Sequence, residues 1–495
     1  MSDLKELDDI DEKSKLNTEG DNAKIKFQTS NNGEAKLEMP DSGNVSYQCG
    51  LTKEELMRYA NDPFWIAMRR IFFVLFWLLW TAMLVGAVAI IIMTPGCAKP
   101  EEPEWYETSS VYELRVDEFK DGDGDQKSDL AGVKEKLSYF EEISVSAIVL
   151  DGLYDKNSPK IIRPNLGSFL DIAEIAKAQK ILLKIPMSQV DLTTEEKQGE
   201  FVDVLDFWLG KGVAGFVFDE IELLPNSLDL KKLTQQWYDS VSRFNPEDFP
   251  RVSILSSYKP LDELELCNQT HMVLNYKPLV LGRNYKPQDL LHVLESTAKK
   301  NRTRLCRSNL VLGNGDIKPL TTRLEQAERD RLLIFSLLAD ATPFLYFGDE
   351  YGKNDENLPD ELQRNHGKTP QSMQWKIVED FKSQKSNNFF QVFTKTAKLR
   401  KAECSIRMGE TSLQIIGENI VAMSRIKKGD PSIAVVTNFG SSTEQVDITS
   451  LNERIPETGQ IEIVSSISDK HKQRVLLKKL DVGAQETIVI QFVPK

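Results

Sequence analysis

The sequence predicts an α/β protein that consists of a single transmembrane helix, a (β/α)8 barrel of the TIM type and a C-terminal antiparallel β-sandwich domain. Three observations support this. Residues 71–93 form an uncharged apolar run, short β-rich runs alternate with amphipathic segments over 105–400, and short strands without long helices fill 401–495. A chain of 495 residues has room for two or three domains. Its net charge of −13 argues against nucleic-acid binding.

The first element is the apolar run, which reads IFFVLFWLLWTAMLVGAVAIIIM. A bilayer core about 30 Å thick needs about 20 helical residues, and this run supplies them. A buried core helix rarely stays apolar on every face. The run also starts too far along the chain, and is too long, for a cleaved signal peptide. It therefore predicts one membrane-spanning helix that serves as a signal anchor.

Charges on either side of this run predict its orientation. Arg58, Arg69 and Arg70 precede it, whereas Lys99 follows it among three glutamates. Basic flanks remain in the cytosol, so the N-terminus is expected inside and the C-terminus outside, as in a single-pass type II protein of the plasma membrane.

The flanking segments differ in character. Residues 1–70 are expected to be a cytosolic tail, polar and mostly disordered, with a short juxtamembrane helix. Thr52 is a good N-cap for that helix, and Glu55 completes a capping box. Residues 94–104 form an extracellular neck that contains Cys97, a thiol in an oxidising compartment where disulfides persist.

Eight short apolar runs define the predicted barrel of residues 105–400. They are residues 111–116, 146–151, 180–185, 214–219, 251–256, 271–276, 308–313 and 343–348. Eight strands alternating with helices over this length favour a closed barrel, with a doubly wound open sheet as the alternative. The strand-rich pattern of 401–495 predicts a small separate β domain.

Several motifs resemble the α-amylase-type glycoside hydrolases. WYETSSVYELRVDEFKDGDGDQKSDLAGV is similar to their first strand and Asp-rich loop, GKGVAGFVFDEI to their fourth strand, ATPFLYFGDEYG to their eighth, and QSMQW to their Pro-Met-Gln-Trp signature. With the single N-terminal span, the chain resembles the heavy chains of the heteromeric amino-acid transporters. The short loop after the third strand lacks the usual inserted subdomain, which favours the four-F-two cell-surface-antigen type over the cystinuria-linked type.

This resemblance implies a partner and a role. The partner would be a multi-span amino-acid exchanger, the light chain, joined by a disulfide at Cys97 and by the transmembrane helix. The heavy chain would support the surface expression and stability of the exchanger without catalysing a reaction. A membrane-tethered α-glucosidase and an adhesion or signalling receptor are the alternatives. For Cys97 itself, the alternative is a free thiol.

The resemblance also locates a degenerate hydrolase site. Asp219 matches the nucleophile position of the family, and Asp316 is a second relic carboxylate. The other family groups are replaced: Val217 stands for an arginine, Ser256 and Ser257 for the acid/base glutamate, Gly315 for a histidine, and Lys184, Ser188 and Gln189 for the third-strand aspartate and Asn-His pair. Since general acid catalysis needs a positioned proton donor, we predict that no residue is catalytic and that no organic cofactor binds. Glu263 or Glu265 could supply the missing acid in an alternative reading.

An acidic loop predicts a structural Ca²⁺ site. Asp121, Asp123, Asp125 and Asp129 would offer carboxylates, and Lys127 its main-chain carbonyl, as alternate residues of a tight loop. Four carboxylates this close repel one another without a cation. A solvated acidic turn is the alternative.

The remaining external features are cysteines and glycan acceptors. Cys267, Cys306 and Cys404 cannot be paired from sequence, although at least one must stay unpaired if Cys97 bonds elsewhere. Asn268 and Asn301 each begin an Asn-X-Thr triplet and are predicted N-glycosylation sites.

Overall fold

The computed structural model describes residue 57, residues 59–93 and residues 103–495, apart from 246–248, 260, 262–265, 304–305, 354–372, 385–386, 469 and 471. The chain divides into two compact units, Met1–Pro100 and Glu101–Lys495.

Helix α1 (Pro63–Met93) dominates the described part of the first unit. It is long and apolar enough to cross a membrane by length and composition, and none of its side chains is buried. The helix begins before the predicted span, because Pro63 is well suited to a first helical position and the following residues carry no breaker. Tyr59 and Ala60 are also helical, whereas the predicted capping residues Thr52 and Glu55 lie outside the described residues.

The second unit opens with the predicted barrel, and all eight predicted strands are confirmed. The first ten strands in chain order are β1 (Val111–Arg115), β2 (Ala147–Asp151), β3 (Tyr154–Asp155), β4 (Ser158–Ile162), β5 (Lys180–Pro186), β6 (Gly215–Asp219), β7 (Val252–Leu255), β8 (Met272–Val273), β9 (Asn309–Val311) and β10 (Thr342–Tyr346). Eight of them pair in the order β8-β7-β6-β5-β2-β1-β10-β9, and every pairing is parallel. Strands β3 and β4 form an additional antiparallel hairpin that the sequence did not predict.

Helices surround this sheet. They are α2 (Trp105–Thr108), α3 (Val116–Phe119), α4 (Leu130–Glu135), α5 (Leu137–Glu142), α6 (Phe169–Ala178), α7 (Glu195–Gly210), α8 (Leu230–Arg243), α9 (Pro287–Thr303), α10 (Leu320–Arg323), α11 (Gln326–Leu338), α12 (Trp375–Ser383), α13 (Phe389–Ala402) and α14 (Cys404–Met408). Side-chain caps begin several of them: Ser168, Thr194 and Asp229 each accept a backbone N–H three residues on.

The alternation of side chains along each strand separates two apolar layers. Val111, Val149 and Leu182 belong to the cluster inside the barrel, while Tyr112 and Leu114 belong to the larger cluster between strands and helices. Because this period is two, Glu113 shares its face with Val111 and points inward near the carboxyl ends of the strands.

One seam of the barrel lacks a strand ladder. Strands β8 and β9 are the two ends of the paired order. Asn309 bridges them instead: its Oδ1 accepts from the Asn275 amide at 2.7 Å and its Nδ2 donates to the Val273 carbonyl at 2.8 Å. A disulfide between Cys267 and Cys306 joins the segments that lead into the same two strands. Two backbone hydrogen bonds also cross the seam: the Arg307 and Val311 amides donate to the His271 and Asn275 carbonyls at 3.1 and 3.2 Å. The barrel is therefore closed here without a continuous ladder.

The C-terminal domain consists of β11 (Glu410–Ile416), β12 (Ile420–Ile426), β13 (Ser432–Asn438), β14 (Glu444–Val446), β15 (Thr458–Val464), β16 (Arg474–Leu476), β17 (Leu480–Val482) and β18 (Thr487–Phe492). Six of these strands form one antiparallel sheet, in the order β11-β12-β13-β18-β15-β16, and β14 pairs with β17. One face of the large sheet, including Val435 and Val489, joins the barrel core. The other face, including Val436 and Ile488, packs within the domain.

Candidate functional site

A buried lysine occupies the centre of the site at the carboxyl ends of the strands. Lys184 on β5 places its Nζ 2.8 Å from Glu113 Oε1 and 3.0 Å from Asp219 Oδ2. All three side chains are buried. Asp219, the predicted relic of a nucleophile, is thus held in an ion pair with a cation from the neighbouring strand.

The second oxygen of Asp219 is also engaged. The Ser256 hydroxyl, at the end of β7, donates to Asp219 Oδ1, and Ser256 Oγ lies 2.5 Å from the Tyr276 hydroxyl. Ser256 is one of the two residues that the resemblance aligns with an acid/base glutamate. A serine hydroxyl is a poor proton donor to a leaving group, and here it donates a hydrogen bond to Asp219.

These contacts control the protonation of the site. Burial opposes ionisation of Asp219, but the Lys184 ammonium and the Ser256 hydrogen bond outweigh it and lower the pKa of the carboxyl. Burial likewise disfavours the Lys184 cation, yet Asp219 and Glu113 raise its pKa well above the usual value. For Glu113 burial dominates and raises the pKa to about 7. Lys184 and Asp219 are therefore both charged at neutral pH.

Asp316 lies near this centre and is part of a second hydrogen-bonded group. The Tyr258 hydroxyl donates to Asp316 Oδ2 at 3.1 Å, and Asn314 Nδ2 donates to the same hydroxyl. The Tyr258 ring stacks on Tyr276 at a centroid distance of 4.7 Å. At Gly315, which the resemblance aligns with a histidine, a Cβ would lie 3.0 Å from the Tyr346 hydroxyl, so a larger side chain has little room there.

The other replaced positions have local roles. Val217 is buried in the apolar cluster inside the barrel. The Ser188 hydroxyl donates to Glu220, which follows Asp219 with a left-handed backbone of φ +58°. Glu263 and Glu265, the alternative acids, lie outside the described residues.

A cavity of about 480 Å³ opens beside this centre. Lys184, Asp219 and Asp316 form part of its wall, and Gln189 and the β3–β4 hairpin form another part. Its lining is charged and polar, which differs from the mostly apolar lining of typical small-molecule pockets.

The acidic loop gathers three of its predicted ligands. Carboxylate oxygens of Asp121, Asp123 and Asp125 lie within 4.8 Å of one another. Asp129 lies outside that group: its Oδ1 accepts the amides of Gly122 and Gly132 and caps α4. Lys127 is exposed at the edge of the loop. Three converging carboxylates are a donor set that suits a hard cation such as Ca²⁺.

The structure resolves the cysteine pairing that the sequence left open. Cys267 and Cys306 form the disulfide, and Cys404 remains free within the described residues, with Lys427 Nζ 3.0 Å from its sulfur. Cys97 lies outside the described residues.

Of the two predicted N-glycosylation sites, Asn268 is exposed, and the side chain of Asn301 is not described.

Sequence reasoning missed several groups around the centre. Glu113, Tyr276 and Tyr258 were not singled out, and neither was the hairpin that carries Tyr154. Glu113 had a detectable signal, because strand alternation places this charged residue on the face of Val111, inside a barrel. The two tyrosines had no such sequence signal, because each follows its strand in an irregular segment, where the strand pattern does not determine the direction of a side chain.

Comparison with known proteins adds an independent line of evidence. A family model described as the solute carrier family 3 member 2 N-terminus matches residues 34–112. The rabbit (Oryctolagus cuniculus) amino acid transporter heavy chain SLC3A2 is 24% identical over 90% of this chain and 88% of its own length. Maltase A1 of Drosophila melanogaster is 21% identical over 71% of this chain and 90% of its own length.

Solved structures agree on the fold of the second unit. Trehalose-6-phosphate hydrolase of Bacillus licheniformis is 15% identical and superposes with a TM-score of 0.59, covering 79% of this chain and all of that protein. The trehalulose synthase MutB reaches a TM-score of 0.62 at 13% identity, with the same coverage. The predicted resemblance to transporter heavy chains with a glycosidase-like domain is confirmed.

Proposed function

We propose that this chain, which is similar to amino acid transporter heavy chains along most of its length, is the non-catalytic accessory subunit of a multi-span amino-acid exchanger. The observation that carries the proposal is the Lys184 ammonium, 3.0 Å from the carboxylate that a glycosidase would use as its nucleophile. Both oxygens of that carboxylate are engaged by the protein. The domain is therefore a scaffold, and transport belongs to the partner.

The same site argues against hydrolysis on energetic grounds. An attacking carboxylate would have to leave a buried ion pair, and breaking such a pair costs about 3–5 kcal/mol. General acid catalysis, typically worth about 10²–10⁴ in rate, has no donor at Ser256. The fold neighbours include hydrolases, so an α-glucosidase remains the second candidate. Turnover of a chromogenic α-glucoside that Asp219→Asn abolishes would overturn the non-catalytic assignment.

The proposed attachment to the partner uses both the membrane helix and the neck. Helix α1 contains Gly86 flanked by Ala82, Ala87 and Ala89, and small residues allow two membrane helices to approach closely. Cys97 follows the helix on the external side in the proposed orientation, where it forms the disulfide with the exchanger in the plasma membrane.

Non-reducing electrophoresis of native membranes tests this attachment. The wild-type chain should migrate as a larger species that collapses to the monomer on reduction, and Cys97→Ser should remove that species. Cys404→Ser is the matched control, because Cys404 is the free cysteine of the described external domain. An unchanged band pattern in Cys97→Ser would refute the covalent link.

Purification in mild detergent tests the subunit role. If it recovers no multi-span protein, the subunit role is refuted and an adhesion receptor is favoured.

A further inference from the structure

A groove of about 510 Å³ lies between helix α13 and strand β15, and it shares no lining residue with the cavity at the barrel centre. Its lining is mainly aliphatic: α13 contributes Leu399 and Ala402, and β15 contributes Ile461, Ile463 and Val464. Both the volume and the mostly apolar lining are typical of pockets that bind small molecules. The role of an accessory subunit makes no use of this groove.

A β-bulge explains how consecutive residues of one strand reach the same groove. In a regular strand, neighbouring side chains point to opposite faces of the sheet. The register of β15 against β18 shifts between Ile461 and Ile463, and such a shift locally redirects side chains. Residues 461–464 therefore all contribute to the lining. The apolar surface of the groove thus depends on an irregularity of the large sheet.

On the β15 side of the groove, the charged groups already have partners. Lys472 Nζ lies 3.2 Å from Glu462 Oε2, and Lys470 Nζ lies 2.6 Å from Glu486 Oε2. Lys470 also donates to the Asp481 carbonyl at 2.9 Å. Among the described residues, this side of the groove is therefore close to neutral and offers no unmatched charge to a ligand.

The α13 side carries two ammonium groups without a counter-charge. Lys395 and Lys398 are exposed, line the groove and form no ion pair with any described residue. They are three residues apart and hence neighbours on the helix surface, where like charges repel each other. An anion bound between them would remove this repulsion. The unmatched charge of the groove is thus positive, and it lies at one side of an aliphatic surface.

We infer that this groove binds an amphipathic anion that has one carboxylate head group and an unbranched alkyl chain, that is, a fatty-acid anion. The carboxylate lies between Lys395 and Lys398, with one oxygen facing each ammonium group, and the alkyl chain lies along the aliphatic residues of β15. The lysine pair selects the sign of the head group, and the aliphatic lining selects the chain through the hydrophobic effect. This inference goes beyond the proposed function and does not depend on a transporter partner.

Equilibrium dialysis of the full chain in phosphatidylcholine nanodiscs, with labelled decanoate as the probe, tests the inference. Because alkyl chains also partition into lipid, the uptake by empty nanodiscs is subtracted. Decanoate should bind saturably. Butyrate, which lacks the long chain, and decyltrimethylammonium, which carries the opposite charge, should each bind at least about tenfold more weakly. Equal binding of either analogue, or no saturable decanoate binding above that of empty nanodiscs, would overturn the assignment.

Variants at exposed positions locate the site without disturbing the core. The double variant Lys395→Gln/Lys398→Gln should weaken decanoate binding at least about tenfold. Ala402→Phe, which fills the groove and leaves the charge unchanged, should weaken it severalfold. The control Lys177→Gln/Lys231→Gln removes the same charge from exposed positions on α6 and α8 and should bind normally.

The same measurements can contradict the site. Equal weakening in the two double lysine variants would show a general attraction between charges and refute a defined site. Undiminished binding by Lys395→Gln/Lys398→Gln and by Ala402→Phe would place the ligand elsewhere. Unfolding temperatures close to that of the wild type show that each variant retains its fold.

Discussion

At the residue scale, Lys184 determines what the barrel can do. Its side chain points into the barrel by strand alternation, and its ammonium group contacts Glu113 on β1 and Asp219 on the neighbouring strand β6. A lysine at this place satisfies two buried carboxylates that would otherwise repel each other. Lys184, Glu113 and Asp219 thus form a buried ion triad, in which the predicted relic nucleophile is a structural partner.

Removing this cation should destabilise the domain. Lys184→Met leaves Glu113 and Asp219 buried without a counter-charge, so the free energy of unfolding should fall by about 3–5 kcal/mol. Chemical denaturation measures the change. Lys197→Met is the matched control, because its ion pair with Asp191 is about half exposed and should contribute little to stability. Equal losses in the two variants would contradict the proposed role of Lys184.

The raised pKa of Glu113 predicts a dependence of stability on pH. In the folded state this group takes up a proton near pH 7, whereas its unfolded pKa is near 4.5. The folded protein therefore binds more protons between these values, and the free energy of unfolding should decrease as the pH rises from about 4.5 to 7. Glu113→Gln should flatten that decrease, by at most about 3 kcal/mol.

Denaturation curves at several pH values measure this slope. Glu453→Gln, at an exposed position, serves as the control and should leave the slope unchanged. A slope that survives in Glu113→Gln would show that other buried acids account for it.

The site could be predicted in part from single residues. The positions of Asp219 and Lys184 followed from the strand pattern, and the lost helpers followed from the resemblance. The ion pair between them did not, because alternation gives the face of a side chain but not which neighbour its terminal atoms reach. The disulfide partners were equally undetermined, since spacing leaves several pairings open.

At the element scale, the strands were easier to predict than the connections. The barrel strands are mostly apolar because both of their faces are buried, with Glu113 and Lys184 as charged exceptions. The hairpin of β3 and β4 was missed, since DKNSPK contains turn-forming and charged residues and reads as a loop. That hairpin contributes Tyr154 and Lys156 to the cavity wall, so the least predictable element defines the opening of the site.

The acidic loop gives a prediction for one connection. We propose that Asp121, Asp123 and Asp125 bind a structural Ca²⁺ ion. Millimolar Ca²⁺ should raise the unfolding temperature of the wild-type chain by several degrees through preferential binding to the folded state. Asp123→Asn should reduce this shift, because it removes one ligand charge. Calorimetry with and without chelator makes the measurement.

Asp155→Asn, in the unrelated hairpin, should keep the full calcium response. An equal response in Asp123→Asn and the wild type would favour the solvated acidic turn.

At the scale of the whole molecule, the two domains of the second unit form a continuous core. Arg331 on α11 donates to Thr437 Oγ1 at 2.9 Å and to Gln485 Oε1 at 2.8 Å, and its guanidinium lies 3.8 Å from the centroid of the Phe439 ring. The large sheet of the C-terminal domain buries one face against the barrel helices. The domain boundary expected near residue 400 is therefore a change of architecture within one packed body.

Glycosylation tests the orientation of the whole chain. If the second unit is external, Asn268 and Asn301 should carry N-glycans, and removal of both acceptors should abolish the mobility shift produced by a glycosidase. Asn44 also begins an Asn-X-Ser triplet, but it lies on the proposed cytosolic side and Asn44→Gln should change nothing. Modification at Asn44 with bare Asn268 and Asn301 would reverse the topology.

The seam between β8 and β9 has a consequence for biogenesis. The other neighbouring strands of the barrel are held by ladders, whereas this junction has two backbone hydrogen bonds, the Asn309 side chain and the disulfide between Cys267 and Cys306. In a reducing environment, the strands of a newly made chain could pair, but the disulfide at this junction would be absent. If the second unit is external, as we propose, oxidation in the secretory pathway would form this bond, and closure of the barrel would then depend on the route that the chain takes to the membrane.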